Sequence, residues 1–209
     1  MEKIIFDIET GKNDRYMEFL PKKVKTPKRL KKDTDDTYML RVAESIEEWE
    51  SECALSATTG KILCIGYKVG DHPATVFGDG MDEKSILTQF WDTYHTRKSG
   101  VYMIGWNSHK FDLPYIYQRS VILGVKTGVV PVDRNWRMSI DLKEIWLRWV
   151  YGKQADLGST SLALGFKGKM EDGDISERFE WYWENDRKKA IENCTQDVEM
   201  TSFISERLL

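Results

Sequence analysis

The segment Phe6-Asp7-Ile8-Glu9-Thr10 ends a short apolar run with two acids one residue apart. In an extended strand, side chains i and i+2 share a face. Asp7 and Glu9 therefore offer two carboxylates side by side at a sheet edge. The alternative is a solvated strand end that turns at Thr10-Gly11. A second polar segment, Trp106-Asn107-Ser108-His109-Lys110-Phe111-Asp112, follows the apolar run VYMIG. Asp112 either caps the helix that begins there or supplies a third carboxylate at a strand's C-terminal end, where α/β sheets place their sites. The third segment is Glu192-Asn193-Cys194-Thr195-Gln196-Asp197-Val198. Asp197 lies beside an apolar helical stripe, a poor position for an acid unless it meets a cation. Asn193, four residues earlier, shares its face. Four carboxylates on three elements could bind two divalent cations, and oxygen donors suit Mg2+ or Mn2+. Such a pair lowers the pKa of water and stabilises charge on a phosphoryl group.

Other chemistries fare worse. Three cysteines (Cys53, Cys64, Cys194) and three histidines (His72, His95, His109) are scattered and form no Cys-x-x-Cys pair, which argues against a disulfide framework or a zinc site. GFKGKM at 165–170 lacks the first glycine of a phosphate-binding loop, and GDG at 78–80 lacks the third glycine of a dinucleotide fingerprint. DTDDTY at 33–38 has Tyr38 where a calcium loop needs glycine.

The chain has 209 residues, 41% hydrophobic and 31% charged, with eight Trp, nine Tyr and eight Phe. That is ample surface for one folded core. No apolar run approaches the roughly 18 residues of a membrane span. The acid-bearing N-terminus does not read as a signal peptide, so the expectation is a cytoplasmic protein with no membrane partner. The net charge of −3 hides an asymmetry: residues 22–32 (KKVKTPKRLKK) hold seven positive charges and no acid, and taking those seven away leaves −10. Lys22, Lys23, Lys25, Lys28 and Arg29 could clamp a polyanion such as DNA or RNA. They could equally be a solvated loop. Pro21 and Pro27 argue against a long basic helix.

The patterning predicts strands at 1–8, 61–69, 73–77, 101–105 and around Ile140. It predicts helices at 44–56, 82–97, 113–123, through Leu142–Trp149, at 158–165 and at 186–208. Residues 11–40 read as a long irregular or mobile insertion. With no internal repeat and no linker, the expectation is one α/β domain over 1–209 with a mixed sheet flanked by helices.

FDIET, the N-x-x-x-F-D of Asn107 to Asp112, and the late helical Asp197-Val198 together resemble the three motifs of the DEDD 3′–5′ exonucleases. The likeness spans about residues 1 to 205. Ile140-Asp141-Leu142 and Ser161-Leu162-Ala163-Leu164 resemble the branch related to family-B DNA polymerase proofreading domains. The resemblance implies a ribonuclease H-like fold, with Asp7, Glu9, Asp112 and Asp197 as ligands of two metals. It also implies release of mononucleotides from 3′ ends of DNA, single-stranded or frayed, or of RNA. The family carries Tyr four residues before the last Asp, or His five before it, to position or deprotonate the attacking water. Here Asn193 and Glu192 stand there. A neutral amide cannot take a proton near pH 7, although its oxygen can accept a hydrogen bond. Asn193 then orients a water that metals acidify, or the domain is a catalytically inactive nucleic-acid-binding module. His109 is a third candidate base. Trp106 and Asn107 could contact the terminal base, although Trp106 could also be core. Phe111 is expected beneath the site, and Thr10 could touch a 3′ end. Trp181 and Trp183 read as wall rather than platform. The expectation is an exonuclease with no polymerase covalently attached.

Overall fold

The computed structural model describes residues 2–17, 26–96, 101–127, 139–148, 155–167, 175 and 178–209. Five strands form one sheet: β1 (Glu2–Lys12), β2 (Gly60–Val69), β3 (Thr75–Phe77), β4 (Val101–Gly105) and β5 (Ser139–Asp141), in the order β3-β2-β1-β4-β5. β1 pairs antiparallel with β2 and parallel with β4, and β5 continues the parallel side. The sheet is therefore mixed, as expected.

The strand alternation of β1 sorts its side chains onto two faces. Phe6 and Ile8 pack with Ile86, Leu87, Phe90 and Trp91 of α3 (Glu83–His95) and with Leu113, Tyr115 and Ile116 of α4 (Asp112–Leu123). Ile5 faces the other way, in a cluster with Ile104, Trp106, Leu142, Val198 and Ile204. Asp7 and Glu9 share the parity of Ile5. The last helix of the chain, Arg187–Leu208, supplies Cys194, Val198 and Ile204 to that side, all fully buried.

Local chemistry sets where several helices begin. Asp82, Asp156 and Asp186 each accept a hydrogen bond from the backbone N–H three residues on, and so cap α3, the helix Leu157–Ala163 and the last helix. Helix α4 ends at Gly124, whose φ of 66° is the left-handed conformation that glycine adopts freely. One expectation needs correcting. Residues 11–40 are not a wholly irregular insertion: β1 runs to Lys12, a one-turn helix α1 covers Asp14–Met17, and α2 spans Asp35–Ala54. Thr34 caps α2 by accepting from the Thr37 N–H, and Asp35 and Asp36 stand in its first turn, where the helix dipole favours acids. The helix expected at 44–56 is the second half of this longer one. The remaining helices are α5 (Leu142–Leu147), α6 (Leu157–Ala163), α7 (Phe179–Asn185) and α8 (Arg187–Leu208). No expectation from the sequence covers α7.

A single small residue lets α8 lie close to the sheet. Gly66 stands opposite Asp7 in the β1–β2 register. A Cβ there would sit 2.8 Å from both Cys194 Sγ and Val198 Cγ2, and 3.0 Å from the Cys194 carbonyl oxygen. The last contact is with backbone, which cannot rotate away. Gly66→Ala is therefore expected to lower stability by about 1–3 kcal/mol, the usual cost of overpacking. Urea denaturation measures it, and unchanged stability would mean that α8 is not pinned at this point.

Candidate active site

β1 carries Asp7 and Glu9 beyond the end of its parallel partner. The β1–β4 ladder covers Glu2 to Ile5 only, so the Ile8 N–H has no strand partner on that side. The side chain of Asp112 takes it, with Oδ1 at 3.1 Å. This corrects one of the two readings of Asp112. Phe111 is the capping residue of α4 and makes no side-chain cap, whereas Asp112 is the first helical residue and points its carboxylate at β1. Asp112 is 4% exposed.

From α8, Asp197 joins the same group. Its Oδ2 accepts a hydrogen bond from Asn193 Nδ2 at 3.1 Å, one helical turn away. Ligand atoms of Asp7, Glu9 and Cys194 lie within 4.8 Å of one another.

The electrostatics report the crowding. Burial pushes Glu9 well above its ordinary range, and the neighbouring Asp7, Cys194, Asp197 and Asp112 add to the rise. Burial likewise raises Asp7 strongly, with Asp112 adding to it. Burial lifts Asp112 to about 7, although the backbone N–H of Ile8 and its own N–H pull the other way. Cys194 is raised by its hydrogen bond to Cys64 and by burial. The structure thus sets Asp7 and Glu9 beside Cys194 and puts Asp112 and Asp197 within electrostatic reach of Glu9. It also adds Cys194, which sequence reasoning had placed only in the apolar stripe. Strand register could have exposed that signal: Glu9 pairs with Cys64, and the free thiol of Cys64 faces that of Cys194.

The loop before Asp112 is held by a residue the sequence reading did not assign to the site. Asp141, 2% exposed, accepts from the backbone N–H groups of Asn107 and His109, both at 3.0 Å. It also caps α5 through Lys143 and Glu144. This double anchoring holds Asn107 at a φ of 61°, a left-handed conformation that asparagine tolerates better than most residues. His109 is engaged on the β5 side, with Nδ1 3.1 Å from Glu144 Oε2 and Nε2 2.9 Å from Ser139 Oγ.

The other residues named from sequence divide. Trp106 is 8% exposed and belongs to the core cluster with Ile5 and Val198, so core packing is its place and little ring is left for a base. Phe111 is partly buried and packs on Tyr115, with ring centroids 5.5 Å apart. Thr10 is partly buried. Glu192 is exposed and pairs with Lys188 at 3.7 Å. Lys28 and Arg29 are exposed, and Arg29 pairs with Asp35. Lys22, Lys23 and Lys25 lie outside the described residues. Trp183 is buried as a wall, at 6%, but Trp181 is 48% exposed.

Acids from a strand, a strand-following helix and a late helix, set around the free end of β1, suit divalent-cation chemistry on phosphodiesters. Comparison with known proteins decides the family. Residues 75–208 match the family model described as a predicted 3′–5′ exonuclease related to the exonuclease domain of PolB. The chain belongs to this exonuclease family. The match takes in Asp112, Asn193 and Asp197, while Asp7 and Glu9 stand on β1, ahead of it. Among solved structures, this exonuclease-family chain is similar to the family B DNA polymerase of the hyperthermophilic archaeon Pyrobaculum calidifontis, with a TM-score of 0.67 at 18% identity. The alignment covers 100% of this chain and 24% of the polymerase, so the chain spans about a quarter of that protein's length. The shared architecture is the ribonuclease H-like mixed sheet. No curated protein sequence matches the chain. Among the described residues, no helix is long and apolar enough to cross a membrane.

The raised acids make a pH prediction. Asp112 holds its proton to about pH 7 when folded, against an ordinary 3.8. The folded state therefore binds more protons than the unfolded one between those values, and stability falls as pH rises through that window. Asp7 and Glu9 act in the same direction. In chelator, the melting temperature should drop between about pH 4 and about pH 7. Asp112→Asn should flatten part of the drop, and a divalent cation should offset it above about pH 7. Calorimetry in chelator and in excess Mg2+ measures both, and a melting temperature that rises across this window would contradict the burial argument.

Proposed function

We propose that the protein is a metal-dependent 3′–5′ exonuclease that hydrolyses terminal phosphodiesters of DNA, or of RNA, within one domain. The observation that supports this reading is that Glu9 feels Asp7 on its own strand β1, Asp112 from α4 and Asp197 from α8, with Asp112 hydrogen-bonded to the β1 backbone at Ile8. Family membership supports the reaction class. The donor set fits two hard divalent ions. Carboxylate oxygens are what Mg2+ and Mn2+ prefer, and acids this crowded gain from positive charge placed among them. Asp7, Glu9, Asp112 and Asp197 would hold the ions. When bound, such ions supply Lewis-acid stabilisation of the phosphoryl group and an acidified water.

The protein's own part is positional. The Ile8 N–H fixes Asp112, which leaves its carboxylate one oxygen hydrogen-bonded to strand backbone. Asn193 restrains Asp197 through its amide N–H. Asn193 cannot remove a proton, but its oxygen can accept a hydrogen bond from water. Glu192 is turned to solvent and paired with Lys188, and His109 is held by Glu144 and Ser139. Asn193 is therefore a positioning residue in this reading. Its presence in place of a proton acceptor is also the one observation that favours the second reading, a catalytically inactive nucleic-acid-binding module.

A time course on a 5′-labelled single-stranded DNA oligonucleotide separates the two readings. The expected result is a descending ladder that needs Mg2+ or Mn2+, stops in chelator and is abolished by Asp7→Ala. Retained binding without any cleavage would favour the inactive module instead. Asn193→Ala should lower activity about 10–100-fold, the usual cost of removing a hydrogen-bond partner from a metal-ligating group. Unchanged activity in that variant would show that Asp197 needs no restraint.

A further inference from the structure

Helix α7 presents an aromatic and cationic surface whose form follows from its own spacing. Phe179 and Trp183, four residues apart, are buried at 2% and 6% and stack on each other, with centroids 5.9 Å apart and planes 21° from parallel. They fix one face of the helix against the protein. Trp181, midway between them, is forced to the opposite face and is 48% exposed. The Arg178 guanidinium lies 5.2 Å from the centre of its ring. Tyr182 meets Trp181 edge-on at 5.0 Å, and Lys189 Nζ lies 5.1 Å from the Tyr182 ring.

The acids nearby are partly engaged elsewhere. Glu180 turns inward to the Lys12 N–H at 3.4 Å, and Asp186 caps α8 through the Lys189 N–H. Glu184 is exposed. Position links this surface to the acid group. Glu180 Oε1 would lie 2.8 Å from a Cβ at Gly11, two residues beyond Glu9 on the same strand. α7 therefore borders the end of β1 that carries the acids.

We infer that Trp181, backed by Arg178 and flanked by Tyr182 and Lys189, is a base-stacking platform for single-stranded nucleic acid. The chemistry is complementary on both counts. An exposed indole stacks on any base, and the surrounding cations meet the phosphates. Across 178–189 four cations (Arg178, Arg187, Lys188, Lys189) stand against three acids (Glu180, Glu184, Asp186), so the exposed indole with its guanidinium, rather than net charge, selects a nucleobase as occupant. The inference rests on the exonuclease reading for the polarity of the strand, but binding itself can be measured without turnover.

The test uses the full chain with Asp7→Ala, so that no substrate is consumed. Fluorescence anisotropy follows labelled single-stranded DNA, labelled single-stranded RNA and a DNA strand whose bases are replaced by abasic sites. Adding Trp181→Ala should weaken binding to the DNA or the RNA about tenfold, the range of one lost base stack. Trp181→Phe should restore most of the loss. Binding to the abasic strand should not respond to either change. Trp146→Ala, which removes an exposed Trp of α5, should leave all three affinities alone. Equal affinity with and without Trp181 would overturn the platform, as would an equal loss on the abasic strand or no binding of any strand at all. Parallel hydrolysis by the unmodified protein keeps the two ideas apart. Absent cleavage with Trp181-dependent binding removes the exonuclease reading and leaves the platform standing. Cleavage with Trp181-independent binding does the reverse.

Discussion

Because Gly66 has no side chain, α8 can lie directly over the β1–β2 pair, and that approach sets the geometry of the site. Gly66 faces Asp7 across the register, and the backbone of Cys194 would be 3.0 Å from any Cβ placed there. With the helix so close, Asp197 and Cys194 join the field of Glu9. The same contact completes the second core, where Val198 and Ile204 meet Ile5, Ile104 and Trp106. Packing and chemistry thus share one contact: the apolar stripe that seals the sheet also carries the last acid to the site.

The acids themselves work against the fold. Burial and neighbouring carboxylates hold Asp7 and Glu9 well above their ordinary range, and burial with the Asp141 charge holds Asp112 at about 7. A core assembled for stability alone would not gather them. What offsets the cost locally is backbone: the Ile8 N–H serves Asp112 because β1 outruns β4. Asp141 plays the matching role one strand away, where it anchors the loop that leads from β4 into α4 through the N–H groups of Asn107 and His109. Loop placement therefore depends on a buried carboxylate whose own charge also adds to the rise of Asp112.

Around this centre the structure distributes aromatic residues unequally. Trp106 and Trp183 went to the core, whereas Trp181 stayed outside with Arg178 stacked on it. Sequence alone does not separate Trp181 from Trp183, because no local pattern marks the helix that parts their faces. Once α7 is known, the burial of Phe179 and Trp183 dictates the exposure of Trp181. Similarly, Arg29 in the basic strip pairs with the first turn of α2, a helix whose start at Asp35 lay inside a stretch that read as irregular.

Much of the molecule was legible in the residues themselves. Period-two alternation in β1 put Asp7 and Glu9 on one face, and the stripe Cys194-Val198-Ile204 defined the buried side of α8, because both patterns are local and survive any tertiary arrangement. The FDIET, N-x-x-x-F-D and late-Asp motifs pointed to the exonuclease family that the match over 75–208 shows. Other features were decided only in three dimensions. Whether Asp112 caps its helix or reaches β1 depends on where β4 stops pairing, which is a matter of strand register. Whether Cys194 is only core or also borders the acids depends on how closely α8 can approach Gly66. Whether His109 is free to act depends on Ser139 and Glu144, 30 and 35 residues further along the chain. Such contacts join segments distant in sequence, and no local period encodes them.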